Sequence, residues 1–159
     1  MVVLLNDIRS LHNVGSIFRT ADGVGVEKVF LCGITPTPYD DFGTLRPQLA
    51  KVSLGAEASV PWEKCLRIST AITRLKKEGY TIVALEQAPN AVPYTSLHLP
   101  DFSRIAMIIG HEVDGVSPAV LRLADHVAYI PMHGKKESLN VSVAFGIAAY
   151  HYRALAIMV

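Results

Sequence analysis

Apolar, β-branched residues gather in five short runs along the chain, at positions 2–5, 29–32, 81–85, 105–109 and 127–130. The runs are near-continuous rather than alternating, which predicts strands covered on both faces. Between them the spacing changes. Val14, Ile17, Phe18 and Ala21 fall at i, i+3, i+4 and i+7, one face of a helix that opens near Asn13. Residues 66–78 predict a second helix, with Ile68, Ile72 and Leu75 inward and Gly79 as its stop. Ser117 and Pro118 read as an N-cap and a first-turn proline, opening a helix to about 123. A long final helix over 140–155 is apolar almost all round and rich in small residues, among them Ser142, Ala144, Gly146, Ala148 and Ala149. That composition predicts burial on every side, as a core element or as half of a dimer interface.

Strands alternating with helices imply an α/β fold with a mostly parallel sheet and helices on both faces. Positions 33–48, with Pro36, Pro38 and Pro47, read as a long surface loop, a kind often used for function. With no repeat, low-complexity tract or linker, residues 1–159 read as one domain without an appended RNA-binding domain.

Composition narrows the classes. Half of the 159 residues are hydrophobic and 18% are charged, as expected for a buried sheet. A formal net charge of +1 excludes strong nucleic-acid binding through overall charge, so any such site is a local basic patch. VVLL at positions 2–5 is too short for a secretory signal and lacks a basic lead. The charge-free stretch 138–152 is too short and too polar to span a bilayer. Cys32 and Cys65 form no CxxC and read as small core residues in a reducing compartment, which makes the protein cytoplasmic.

Familiar catalytic signatures fail one by one. GVGVEK at Gly23 lacks the third glycine of a dinucleotide loop and runs into a strand. GKKES at Gly134 resembles the end of a phosphate loop, but Tyr129 stands where its first glycine belongs. HEVD at His111 has Asp114 and not a second histidine at ligand spacing, so no metal is expected. A serine hydrolase elbow, GxSxG, is missing.

Three other stretches carry the chemistry. In the first, Asn13 can cap the helix, Gly15 leaves room for a close approach to the backbone, and Arg19 falls off the apolar stripe. The second runs from a strand into Gly110, His111, Glu112 and Gly115, where parallel sheets bind ligands. The third is a basic turn at Lys135 and Lys136 followed by Ser138, Leu139 and Asn140. Written as patterns they are N-x-G-x-x-x-R-x-A, G-x-E-x-x-G and S-L-N-V-S-V-A. In order and separation they resemble the three motifs of the SpoU, or TrmH-like, branch of the SPOUT RNA methyltransferases. Two departures stand out: His111 replaces a usual Asn, and Val113-Asp114 widen a turn that is commonly glycine-rich.

The resemblance implies a Rossmann-like sheet whose C-terminal part forms a deep trefoil knot. It implies methyl transfer from S-adenosylmethionine to a ribose 2′-hydroxyl of tRNA or rRNA, by a homodimer with its active site shared between subunits. Carried over residue by residue, the cofactor is held at Leu85, Gly110, Ile130, Met132 and Leu139. Catalysis falls to Arg19, with Asn13, Glu112, Ser138 and Asn140 in support. Because a guanidinium keeps its proton, Arg19 is expected to stabilise a developing alkoxide and clamp a phosphate rather than act as base. The alternative is a catalytically silent RNA-binding relative of the same fold.

Overall fold

The computed structural model describes residues 1–99 and 101–157. Seven strands are formed by β1 (Val2–Asn6), β2 (Lys28–Cys32), β3 (Trp62–Cys65), β4 (Thr81–Leu85), β5 (Val92–Pro93), β6 (Ile105–Ile109) and β7 (His126–Tyr129). They lie in the order β3-β2-β1-β6-β4-β7-β5, and each pairing within the sheet is parallel. β1 and β6 are buried along their whole length, as their unbroken apolar runs require.

Among the described residues the α-helices are α1 (Leu11–Val24), α2 (Pro47–Ser53), α3 (Ala56–Ser59), α4 (Ile68–Lys77), α5 (Pro118–Leu121) and α6 (Val141–Ile157). Because side chains alternate along a strand, β1 and β6 feed two cores at once. Val3, Leu5, Met107 and Ile109 pack under α1 and α6 with Phe18, Phe145 and Tyr152. Val2, Leu4, Ala106 and Ile108 pack on the other face with Ile72 and Leu75 of α4 and Val120 of α5. Cys32 and Cys65 pair in register on β2 and β3, and burial pushes the Cys32 thiol up to about 12.

Several sequence expectations change in detail. The cap of α1 is Ser10, whose side chain accepts from the Asn13 amide, and the helix ends on left-handed Gly25 at φ 76°. Asn13 is therefore inside the first turn, not its cap. The close approach at Gly15 comes from the protein itself: a Cβ there would lie 2.5 Å from Val52 Cγ2 and 2.7 Å from the Leu49 carbonyl oxygen. Positions 33–48 are a loop only to Arg46, since Pro47 occupies the first turn of α2. β3, β5, α2 and α3 follow no run or periodicity that the sequence displays. α6 is buried on one face only, leaving Val143, Ile147 and Tyr150 at 49%, 37% and 53% exposure.

This topology fixes where a site can form. α1 carries the chain from β1 to β2 on one side, whereas α5 carries it from β6 across β4 to β7 on the other. The crevice beyond the carboxyl ends of β1 and β6 is therefore a switch point, the preferred ligand position of a parallel sheet.

Candidate active site

At that switch point the loop after β6 meets the start of α1. Glu112 accepts hydrogen bonds from the amides of Arg9 at 3.1 Å and Ser10 at 3.0 Å, and from Asn13 Nδ2 at 3.0 Å. Burial alone would push its carboxyl up. The bonds from Ser10, Asn13 and Arg9 outweigh that and hold it below its ordinary value of 4.5. Asn140, at the head of α6, donates from Nδ2 to Asn13 Oδ1 at 3.1 Å. Its own Oδ1 accepts from the Ser142 amide at 2.9 Å and hydroxyl at 2.7 Å, so Asn140 caps the helix and orients Asn13 together. The outcome is one polar chain from Ser142 through Asn140 and Asn13 to an ionised carboxylate.

The loop carrying Glu112 is held in shape by glycines and by a second acid. His111 and Gly115 exchange backbone hydrogen bonds at 3.1 and 3.0 Å. A Cβ on Gly110 would lie 2.5 Å from the Gly115 carbonyl carbon, and Gly115 itself sits at φ 65°. Both positions therefore require glycine. Glu86, just past β4, accepts from the Val116 amide at 2.7 Å and the Gln87 amide at 2.8 Å. It fastens the turn to the end of the neighbouring strand.

Beside this network runs a cleft bounded by the ends of β4, β6 and β7 and by the start of α6. Leu85, Gly110, Ile130, Met132 and Leu139 all line it, as do Ser138 and the two acids Glu86 and Glu112. The Gln87 side chain donates to the Glu137 carbonyl oxygen and bridges the cleft's rim to the basic turn. Apolar walls with two carboxylates suit a ligand with a flat apolar body and a cationic centre.

The sequence-derived site residues thus divide into three groups. All five expected cofactor residues share one cleft. Asn13, Glu112 and Asn140 are joined by direct hydrogen bonds, with Ser138 exposed at the cleft's edge. Arg19 stands apart, exposed on α1, and among the described residues it makes no hydrogen bond or ion pair. Sequence reasoning missed Ser10, Glu86, Gln87 and Ser142. Ser10 is three residues ahead of Asn13, the ordinary spacing of a cap. Glu86 is the acid just past a strand's carboxyl end, where the switch-point rule directs attention.

Comparison with known proteins places the chain in a family. The model of the SpoU rRNA Methylase family matches residues 1–150. A Staphylococcus aureus protein assigned to the TrmH family of tRNA/rRNA methyltransferases is 37% identical over 149 residues, covering 94% of this chain and 56% of the relative. The chain therefore spans about half the length of the curated relatives it matches. The crystal structure of the A. aeolicus TrmH/SpoU tRNA modifying enzyme superposes with a TM-score of 0.83 at 28% identity, covering 99% of this chain and 75% of that one. An AdoMet-bound rRNA methyltransferase from Sinorhizobium meliloti gives 0.85 at 26% identity, covering 96% and 55%.

Proposed function

This chain belongs to the SpoU rRNA methylase family, and from that premise we propose that it transfers a methyl group from S-adenosylmethionine to a ribose 2′-hydroxyl of tRNA or rRNA. The observation that carries the reading is the Glu112–Asn13–Asn140 network standing against the cleft lined by Leu85, Gly110, Ile130, Met132 and Leu139.

The cleft's residues fit the cofactor. Leu85, Ile130, Met132 and Leu139 offer an apolar slot for an adenine, and the carboxylates of Glu86 and Glu112 complement a sulfonium. When bound, the cofactor supplies an activated methyl group. The chain's own work is positioning and charge. Asn13 and Asn140, each locked by two or more hydrogen bonds, present fixed polar edges to a ribose. Ser138 adds a free hydroxyl at the same edge. Arg19 remains protonated, stabilises the alkoxide that develops as the 2′-hydroxyl loses its proton, and grips the adjacent phosphate. The proton leaves to that phosphate or to water.

Two structural elements of the reading come with it. The segment from β7 through the 131–140 turn into α6 forms a deep trefoil knot around the cofactor site, a topology otherwise nearly absent from proteins. The working unit is a homodimer, joined through the exposed stripe Val143, Ile147 and Tyr150 of α6. In such a dimer, Arg19 of one subunit reaches the active site of the other, which accounts for its lack of partners within one chain.

Single-turnover transfer of labelled methyl from S-adenosylmethionine tests the reading, with tRNA and rRNA transcripts as acceptors. Methyl incorporation that disappears when the target nucleotide is 2′-deoxy supports it. Methylation that persists on the deoxy substrate moves the chemistry to the base. Cofactor binding without transfer to any RNA leaves the silent RNA-binding relative.

A further inference from the structure

We propose that a second groove, separated from the cofactor cleft by the loop 110–115, binds the RNA backbone and holds a phosphate flanking the target nucleotide between Arg9 and Arg67. The inference rests on the RNA-methylating reading of the neighbouring site and adds to it where the rest of the strand runs.

The groove opens where β1, β2 and β3 end and α4 begins, and both arginines line it. Their side chains are exposed, and among the described residues neither guanidinium makes a hydrogen bond or ion pair. Arg9 is nonetheless anchored, because its own amide is one of the donors to Glu112 at 3.1 Å. The groove also holds two acids: Asp7, whose Oδ1 accepts from the Ile34 amide at 3.0 Å, and Asp114, whose Oδ2 lies 3.2 Å from His111 Nδ1. Among the described residues neither acid pairs with either guanidinium, so both cations are left free to take a phosphate.

Arg67 occupies the N-cap position of the ten-residue α4, makes no side-chain cap, and is followed by a first turn with no acidic residue. A cation at the positive end of a helix dipole is unfavourable unless an anion lies between them. His111 gives an independent sign of a missing acceptor. Its Nδ1 accepts from the amides of Val113 at 3.2 Å and Asp114 at 3.0 Å, so the neutral ring carries its proton on Nε2. That nitrogen is buried and unpartnered in a side chain only 10% exposed, and His111 stands between this groove and the cofactor cleft, lining both. Beside these donors Ile34 and Leu66 are 59% and 84% exposed, giving an apolar surface against which an unpaired base can lie. Two unpaired cations above an apolar floor, continuous with the Glu112 network, match a single strand of RNA better than a free anion.

Fluorescence anisotropy with a labelled 20-nucleotide single-stranded RNA tests this, read across a salt series. Each of Arg9→Ala and Arg67→Ala should weaken binding several-fold and flatten the slope of log affinity against log salt by about 0.7, the effect of one lost phosphate contact. Arg153→Ala serves as a control, since Arg153 stacks over Phe102 at the amino-terminal edge of the sheet. It should leave the slope unchanged. Calorimetric affinity for S-adenosylmethionine should be the same in all three variants. If the wild-type chain binds the RNA and both groove variants keep its affinity and slope, the groove assignment is wrong. If the wild-type chain binds the cofactor but no RNA, the proposed function falls with it. Equal weakening by Arg153→Ala also overturns the assignment, because it marks diffuse charge rather than a groove.

Discussion

Asn13 Nδ2 lies 3.0 Å from Glu112 Oε1, and this bond ties the first turn of α1 to the loop after β6 across 99 positions of sequence. Because Glu112 ionises more readily in the folded chain than its ordinary 4.5, its contribution to stability is fully present above that value and fades as pH falls through the lowered one. Glu112→Gln should therefore lower the melting temperature at pH 7, where the amides of Arg9 and Ser10 lose a charged acceptor. The difference from wild type should shrink progressively as the pH is taken below 4.5. Circular dichroism melts across that range check this, and a gap independent of pH would show that Glu112 contributes no charge-dependent stability.

Arg19→Ala should keep the fold and cofactor affinity while slowing single-turnover methyl transfer by roughly two orders of magnitude or more, as for loss of one oxyanion donor. Arg19→Lys should recover little, since an ammonium lacks the planar fork that holds phosphate and ribose together. An exposed arginine with no catalytic role would leave turnover unchanged in both variants.

Gly15→Ala tests the contact between α1 and α2. The added methyl meets the Leu49 carbonyl oxygen at 2.7 Å, a backbone atom that cannot rotate away. Urea denaturation should register a loss of about 1–3 kcal/mol, the usual cost of forcing a methyl into a packed contact. A neutral result would mean that α2 slides aside freely.

Ile147→Asp places a charge in the middle of the exposed stripe on α6. Light scattering should convert a dimer into a species of 17.3 kDa with its circular dichroism spectrum intact. Methyl transfer should fall with dissociation, because Arg19 then has no second subunit to serve. A wild-type chain that is already monomeric at working concentration would remove the basis for this variant.

How much of this was legible depends on whether the signal is local. β1, β4 and β6 announce themselves because burial on both faces leaves unbroken apolar runs. β3 does not: it is an edge strand whose Glu63 and Lys64 point to polar partners, Glu63 pairing with Arg74 at 2.9 Å. α2 hides behind Pro47, which reads as a loop residue although it opens the helix. At the site, residue types and motif spacing identify Asn13, Glu112 and Asn140, but not which of them touch. Asn13 looked like a cap because its neighbours in sequence offer it nothing else to do. Its actual partners come from two distant segments, and no periodicity encodes them. The one-sided exposure of α6 was also invisible, since a helix apolar all round does not say which face its own chain will cover.

The bond between Asn13 and Asn140 spans 127 positions, and that separation has a temporal meaning. At an elongation rate of about 5–20 residues per second, Asn13 is added to the chain roughly 6 to 25 seconds before its partner. Throughout that interval β1, α1 and β2 can pair and bury their own apolar faces, while the polar chain at the switch point stays open. That polar chain is thus completed only after residues 13 and 140 have both been made, later than the pairing of β1 with β2.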